Sequence, residues 1–197
     1  MKERDHANKV ATNGKLSKID HFVGKAEIGE YAKSLGLPTT LFMPGFYVSN
    51  LPSSMVKTPN GYIFPSPADA DAQYPMFDAA NDTGKFVKAI FLNKDKTLGK
   101  EVYGAEKYYT PVEVAKAFEE AFPVDGKGTQ YVPIKGEQFV QTLKGYGMSD
   151  KIAEEMLENM YLMNKEYGYY AGAELKESLS VSRLFSIASS ELMIARH

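Results

Sequence analysis

The chain has 197 residues, with 23 Lys and Arg against 25 Asp and Glu. The resulting formal charge of -2 excludes the basic footprint that direct nucleic-acid binding requires. It has no cysteine, so disulfides, thiolate metal sites and cysteine nucleophiles are excluded and a reducing compartment is expected. No apolar run approaches the roughly 18 residues of a membrane span and no apolar leader is visible, so a soluble protein of the cytoplasm or nucleus, without a membrane partner, is expected.

Residues 1–20 are polar and aperiodic and read as a leader or frayed loop. A first helix is predicted from about Phe22 to Leu35, burying Phe22, Ala26, Ile28 or Gly29, Ala32 and Leu35 and stopped by Gly36-Leu37-Pro38. Thr39 to Met43 reads as a short buried parallel strand, and Gly45, Asn50 and Pro52 place residues 44–60 in a loop with one helical turn. Tyr62-Ile63-Phe64 is the next strand, and Pro65, Pro67 and the acidic run to Asp71 form a surface connection. Asn81-Asp82 is the expected cap of a helix burying Phe86, Val87, Ile90 and Phe91.

Glu101-Val102-Tyr103-Gly104 is a further strand. Thr110-Pro111-Val112-Glu113 then joins a threonine cap, a proline at the first helical position and a glutamate three residues after the cap. The helix behind it buries Val114, Ala115, Phe118 and Phe122. Gln130 to Ile134 is a strand. Helices near 137–144 and 150–166 follow, the second capped by Ser149 with Ile152, Met156, Met160 and Met163 facing one way. The end, 178–197, is Ser-rich and weakly amphipathic. Strands alternating with helices indicate an α/β fold with a mostly parallel sheet.

The glycines form neither G-x-G-x-x-G after a strand nor a P-loop, so this chain encodes no standard cradle for a pyrophosphate. The three histidines, His6, His21 and His197, are far apart, and no metal site is expected. Two Tyr-x-x-x-Lys pairs imitate a dehydrogenase site, where a lysine one helical turn on lowers a tyrosine's pKa. Tyr103 and Lys107 fall on a strand and its exit, where they do not share a face. Tyr161 and Lys165 are assigned to one helix, but Ser149, the third member, is already used as a cap. Both pairs read as decoys.

Lys25 is a solvated helix lysine in one reading and the ammonium that meets ribose hydroxyls or a nicotinamide-side group in the other. His21 reads as structural rather than catalytic. Tyr47, Val48, Ser49 and Asn50 follow a strand, where ligands of open α/β sheets sit, or else form a tight surface loop. Tyr169-Tyr170, between Gly168 and Gly172, reads as an aromatic lid over the core.

Five blocks carry a family resemblance: His21-Phe22-x-x-Lys25-Ala26-Glu27-Ile28-x-Glu30-Tyr31; Gly36-Leu37-Pro38-Thr39-Thr40; Pro44-Gly45-Phe46-Tyr47-x-x-Asn50; Asp78-Ala79-Ala80-x-Asp82-x-Gly84; and Glu101-Val102-Tyr103-Gly104-Ala105-Glu106-x-Tyr108-Tyr109-Thr110. Together they resemble the NmrA-like family of atypical short-chain dehydrogenase-like proteins, well populated in fungi, over about residues 12–178. The resemblance implies the carboxyl-terminal part of a Rossmann-type parallel sheet plus a smaller α/β substrate-side region. The NmrA-like domain would span 21–178, with 179–197 an atypical tail. It also implies an NAD or NADP site, with Lys25 on the nicotinamide ribose and Tyr47, Val48, Ser49 and Asn50 beside the nicotinamide.

The family holds redox-sensing transcriptional regulators as well as NAD(P)-dependent reductases. The expected function is therefore an NAD(P)-binding regulator without catalysis, acting through a transcription factor or another protein. The alternatives are a reductase of a small carbonyl or enone with Lys25 assisting proton transfer, and a protein-interaction module. The family's amino-terminal glycine-rich half has no counterpart in this sequence. Impaired dinucleotide binding and a tendency to associate are the expected consequences.

Overall fold

In the computed structural model, the chain is described at residues 12–171, 173 and 175. The calls on 1–11 and on the tail from 178 onward lie outside the described residues.

The first helix, α1 (Asp20–Ser34), begins without a side-chain cap of its own. Two carboxylates from a distant helix, α7 (Asp150–Tyr161), serve it instead: Glu155 accepts the His21 backbone N–H at 2.9 Å and Glu158 accepts that of Lys18. The approach to α1 is not a frayed loop from Thr12 onward. Leu16 and Ile19 are buried against Leu162, and the Thr12 hydroxyl receives the Leu16 N–H. The polarity of this segment hides two apolar anchors at a spacing of three. Gly36, at φ +68°, ends the helix as expected.

Only Gly29 of α1 is buried, pressed against the Leu41 side chain. The expected stripe is corrected here. Ile28 is 71% and Leu35 56% exposed, because they lie a quarter-turn or more round the helix from Gly29, where no neighbour among the described residues covers them.

β1 (Leu41–Pro44) pairs in parallel with β6 (Glu101–Gly104), in the register Pro44 to Gly104. One face of this pair carries Phe42 and Val102 and receives α3 (Ala79–Leu92) through Phe86 and Ile90, with Phe77 packed beside them. The other carries Leu41, under α1, and Met43 and Tyr103, under Tyr170. The cap of α3 is Asp78, not Asn81 or Asp82. Its carboxylate accepts the Asn81 N–H at 3.0 Å, so the helix starts earlier and its inward face shifts. Phe86 is buried, whereas Phe91 is 75% exposed and Val87 also lies at the surface.

After Gly45 the chain leaves this sheet. β2 (Phe46–Tyr47) runs parallel to β5 (Tyr74–Phe77), whose other edge is antiparallel to β7 (Tyr108–Tyr109). All four residues of β5 are buried, a strand that Pro75 concealed in the sequence. A short helix α2 (Leu51–Ser54) leads to β3 (Val56–Thr58), antiparallel to β4 (Gly61–Ser66), which runs parallel to β8 (Gln130–Pro133). Among the described residues the fold is thus α/β with parallel pairs, but divided among three small sheets with two antiparallel partners.

The residues after β4 do not make a surface connection at first. Ser66, Pro67 and Ala68 are buried, with Ser66 bonded to the Tyr74 hydroxyl at 2.9 Å. The main core joins β4, β5 and α5 (Pro111–Ala121) through Phe64, Tyr74, Met76, Val114 and Ala115. Thr110 and Glu113 form the expected reciprocal cap. A charged single turn, α4 (Lys94–Thr97), precedes β6, and α6 (Gly136–Gly145) precedes α7. Ser149 caps α7, which ends at Tyr161. Ile152 is surface-exposed, Met160 packs on the main core and Met163, fully buried, lies past the helix end, so the stripe does not face one way throughout.

The Glu155 clamp makes a pH prediction. Burial alone raises this carboxyl, yet the backbone and ring N–H groups of His21 outweigh it and hold it below its ordinary 4.5. A depressed folded value contributes stability above the ordinary value, and that contribution is lost as pH falls through the folded one. Between about pH 5 and pH 3 the wild-type melting temperature should therefore fall more steeply than that of Glu155→Gln. Parallel profiles would refute the clamp.

Candidate functional site at the carboxyl ends of β1 and β6

The two parallel strands end side by side, with Gly45 N–H donating to the Gly104 carbonyl at 3.0 Å. This is where open α/β sheets hold ligands. Gly45 is the junction between sheets. A Cβ there would overlap the Pro75 carbonyl oxygen and come within 3.1 Å of the Tyr170 hydroxyl. Only glycine lets the backbone pass so close.

Beyond the junction, Tyr47 is 39% exposed and tilts against Phe77. Val48–Asn50 form a single 3-10 turn, locked by the hydroxyls of Ser53 and Ser54 on the Asn50 carbonyl at 2.9 and 2.8 Å. Ser49 and Asn50 present their side chains, whereas Val48 buries its own in the core and offers only backbone. Lys25 is exposed on α1, its ammonium 5.9 Å from the centre of the Phe22 ring.

Tyr169 connects the two groups of residues. Phe22 meets it edge-on at 5.5 Å, and its hydroxyl reaches the Pro44 carbonyl at 3.5 Å. Burial pushes the Tyr169 hydroxyl far up, and the nearby Tyr47 adds to the shift. Phe22, on the helix that carries Lys25, and Tyr47 therefore both lie near one buried tyrosine. Tyr170 is also pushed far up by burial and donates to the Met43 carbonyl at 2.9 Å. Both hydroxyls stay protonated and tie residues 169–170 to β1. The aromatic pair was visible in the sequence as a lid, but its role as a tie to β1 was not.

The two Tyr-x-x-x-Lys decoys resolve on geometry. Burial and Glu101 push Tyr103 up to about 12, and Lys107 lies 4.2 Å from the Tyr109 ring centre instead of serving Tyr103. The second pair needs a correction: α7 stops at Tyr161, so Lys165 lies beyond it and pairs with Asp71 at 3.0 Å. Burial raises Tyr161 as well. His21 is structural, bound to Glu155 and in contact with the Phe22 ring.

Among the described residues no cluster of acidic and histidine side chains suits a metal ion, and no helix is long and apolar enough to cross a membrane. Two buried oxygens have no hydrogen-bond partner there, Glu106 Oε2 and Asn159 Oδ1. The turn after β2 supplies an amide, a hydroxyl and an aromatic ring, and Lys25 on α1 a cation. They include no backbone nest for a dinucleotide's phosphates.

The NmrA-like family model matches residues 6–194. The chain is 28% identical over 171 residues to a nitrogen metabolite repression protein of Neurospora crassa, covering 80% of this chain and 34% of that protein. Its fold is similar to that of the solved negative transcriptional regulator NmrA, with a TM-score of 0.67 at 20% identity over 86% of this chain and 55% of that one. The same regulator has been solved with NAD and with NADP. An NADPH-dependent quinone oxidoreductase of Escherichia coli shares the fold at a TM-score of 0.54 and 19% identity, over 84% of this chain and 60% of that one. The chain thus spans about a third of the curated relative's length and little more than half of the solved ones. With the five sequence blocks, the parallel strand pair and the family match over nearly its whole length, this chain belongs to the NmrA-like family.

Proposed function

We propose that the chain carries the nicotinamide side of a dinucleotide site in an NmrA-like regulatory protein, which senses NAD or NADP and modulates transcription through a partner protein without turning over a substrate. The observation that supports this is the meeting at Tyr169 of Phe22, on the helix that carries Lys25, and of Tyr47, in a chain related to a nitrogen metabolite repression protein. Lys25 would hold ribose hydroxyls by charge-assisted hydrogen bonds, and Tyr47, Ser49, Asn50 and the Val48 backbone would border the nicotinamide. The dinucleotide supplies the redox state that is read. With no phosphate cradle in this chain, affinity rests on the nicotinamide end alone.

Calorimetric titration of this chain with NADP+ should therefore give a dissociation constant of about 1 mM rather than micromolar. Lys25→Ala should weaken it a further 5- to 10-fold, about the net worth of one solvent-exposed hydrogen bond, roughly 1 kcal/mol. A micromolar value, or no change in Lys25→Ala, would overturn the assignment. Sedimentation of the same sample reads the expected association through the exposed Ile28–Leu35 flank; a clean monomer argues against it.

The likeness to the quinone oxidoreductase supports a second reading, hydride transfer to a small carbonyl, enone or quinone with Lys25 assisting proton transfer. Sustained NADPH oxidation with such substrates would favour it over the regulator.

A further inference from the structure

β1 is an edge strand with one open side. Among the described residues it pairs with β6 alone, and its residues are half-buried, whereas β5, held between two strands, is buried throughout. The ladder fixes which backbone groups of β1 are free. In a parallel pair alternate residues face the partner. Here Gly99 donates to the Thr39 carbonyl, Leu41 to that of Lys100 and Gly45 to that of Gly104. Thr40 and Phe42 therefore turn their N–H and C=O groups outward. The open run ends at Pro44, which has no N–H and whose carbonyl accepts the Tyr169 hydroxyl at 3.5 Å.

This edge is unguarded. Free strands are commonly protected by charge, and β6 begins with Lys100 and Glu101, but no charged residue occurs from Leu37 to Tyr47. The helices on the two faces are seated on β1 itself, α1 by Gly29 on Leu41 and α3 by Phe86 stacked on Phe42 at 5.4 Å. Each leaves apolar side chains exposed, Ile28 and Tyr31 on α1 and Phe91 on α3.

The free groups of the edge complement themselves. When an identical strand is turned antiparallel about Leu41, Thr40 of one copy faces the partner's Phe42, and Phe42 faces the partner's Thr40. At both places an N–H meets a C=O in each direction, and neither Pro44 nor the Tyr169 tie is disturbed. The operation is a two-fold axis, so the contact closes after two copies.

We propose that this chain forms a two-fold dimer through β1, its partner being a second copy of itself. The two sheets join in the order β6–β1–β1–β6, with the α1 helices side by side on one face and the α3 helices on the other. The exposed Ile28 and Tyr31 lie on the first of these faces and Phe91 on the second.

Sedimentation of the full chain from about 1 µM to about 100 µM should show a monomer passing into a dimer. Over the same range amide exchange at Thr40 and Phe42 should slow at least about tenfold, while Leu41 and Gly45, already bonded to β6, stay protected throughout. A persistent monomer, or a species that grows beyond the dimer, overturns the proposal. A dimer without protection at Thr40 and Phe42 means association through the helix flanks, and overturns it too. The register has its own test, since the chain contains no cysteine. Leu41→Cys places two thiols in a non-hydrogen-bonded antiparallel pair, where the Cα atoms lie about 4.5 Å apart, within disulfide reach. Mild oxidation should link it into covalent dimers at least about tenfold faster than Thr39→Cys, which faces the partner's Met43. Equal linking of the two variants, or none in Leu41→Cys, rules the register out.

Discussion

Gly45→Ala is expected to cost this chain about 3 kcal/mol or more, lowering its melting temperature by roughly 10 °C, since a domain of this size shifts about 2–4 °C per kcal/mol. The added methyl has nowhere to go. It would overlap the Pro75 carbonyl oxygen, a backbone atom in a fully buried strand, and crowd the Tyr170 hydroxyl. Flexible side chains yield to such a methyl, but β5 cannot move without breaking its pairing to both β2 and β7. The double variant Gly45→Ala with Tyr170→Phe identifies the cause. If Pro75 is the obstacle, removing the hydroxyl gives no rescue. Recovery of most of the lost stability in the double variant would put the strain on Tyr170 instead, and an alanine that melts like wild type would deny the close approach altogether. Because Gly45 carries the chain from β1 to the Tyr47–Asn50 turn, the same variant should also disturb ligand binding.

What could be read in the sequence was mostly local. Thr110, Pro111 and Glu113 fix a helix start through contacts within four residues, and the structure repeats them. Glu101–Gly104 stands between two turns and forms a strand at those bounds. What failed depended on neighbours far along the chain. Ile28 and Leu35 have the spacing of a buried stripe, but spacing does not say which neighbour covers it, and here only Gly29 meets the sheet. No strand is predicted over 74–77, where Pro75 lacks a backbone donor, although β5 lies between two partners. Leu16 and Ile19 looked like part of a polar tail until Leu162, well over a hundred residues later, gave them a place to pack.

The candidate site divides in the same way. Lys25 and the Tyr47–Asn50 turn are expected through the family resemblance, and the structure puts Phe22, from the helix of Lys25, and Tyr47 near Tyr169. That tyrosine's part was not legible, because it rests on a hydrogen bond to Pro44 across 125 residues.

Tyr170 should show how far the site depends on that distant tie. Tyr170→Phe loses one hydrogen bond, to the Met43 carbonyl, and should cost about 1 kcal/mol. Tyr170→Ala also removes a buried ring that lies 4.6 Å from Tyr103 and 5.0 Å from Tyr169, and should cost about 3–5 kcal/mol, again roughly 10 °C in melting temperature. The loss should be concentrated where the ring sat. Amide exchange at Gly45, whose N–H is bonded to the Gly104 carbonyl at the end of the β1–β6 ladder, should quicken in Tyr170→Ala far more than exchange in β4 or α5. If the alanine and phenylalanine variants melt alike, the ring contributes little and the tie is only a hydrogen bond. If exchange rises evenly through the chain, Tyr170 is an ordinary core residue. Quickening confined to the strand ends would instead mean that the aromatic pair holds the carboxyl ends of the parallel strands in shape, with Phe22 and Tyr47 depending on it through Tyr169.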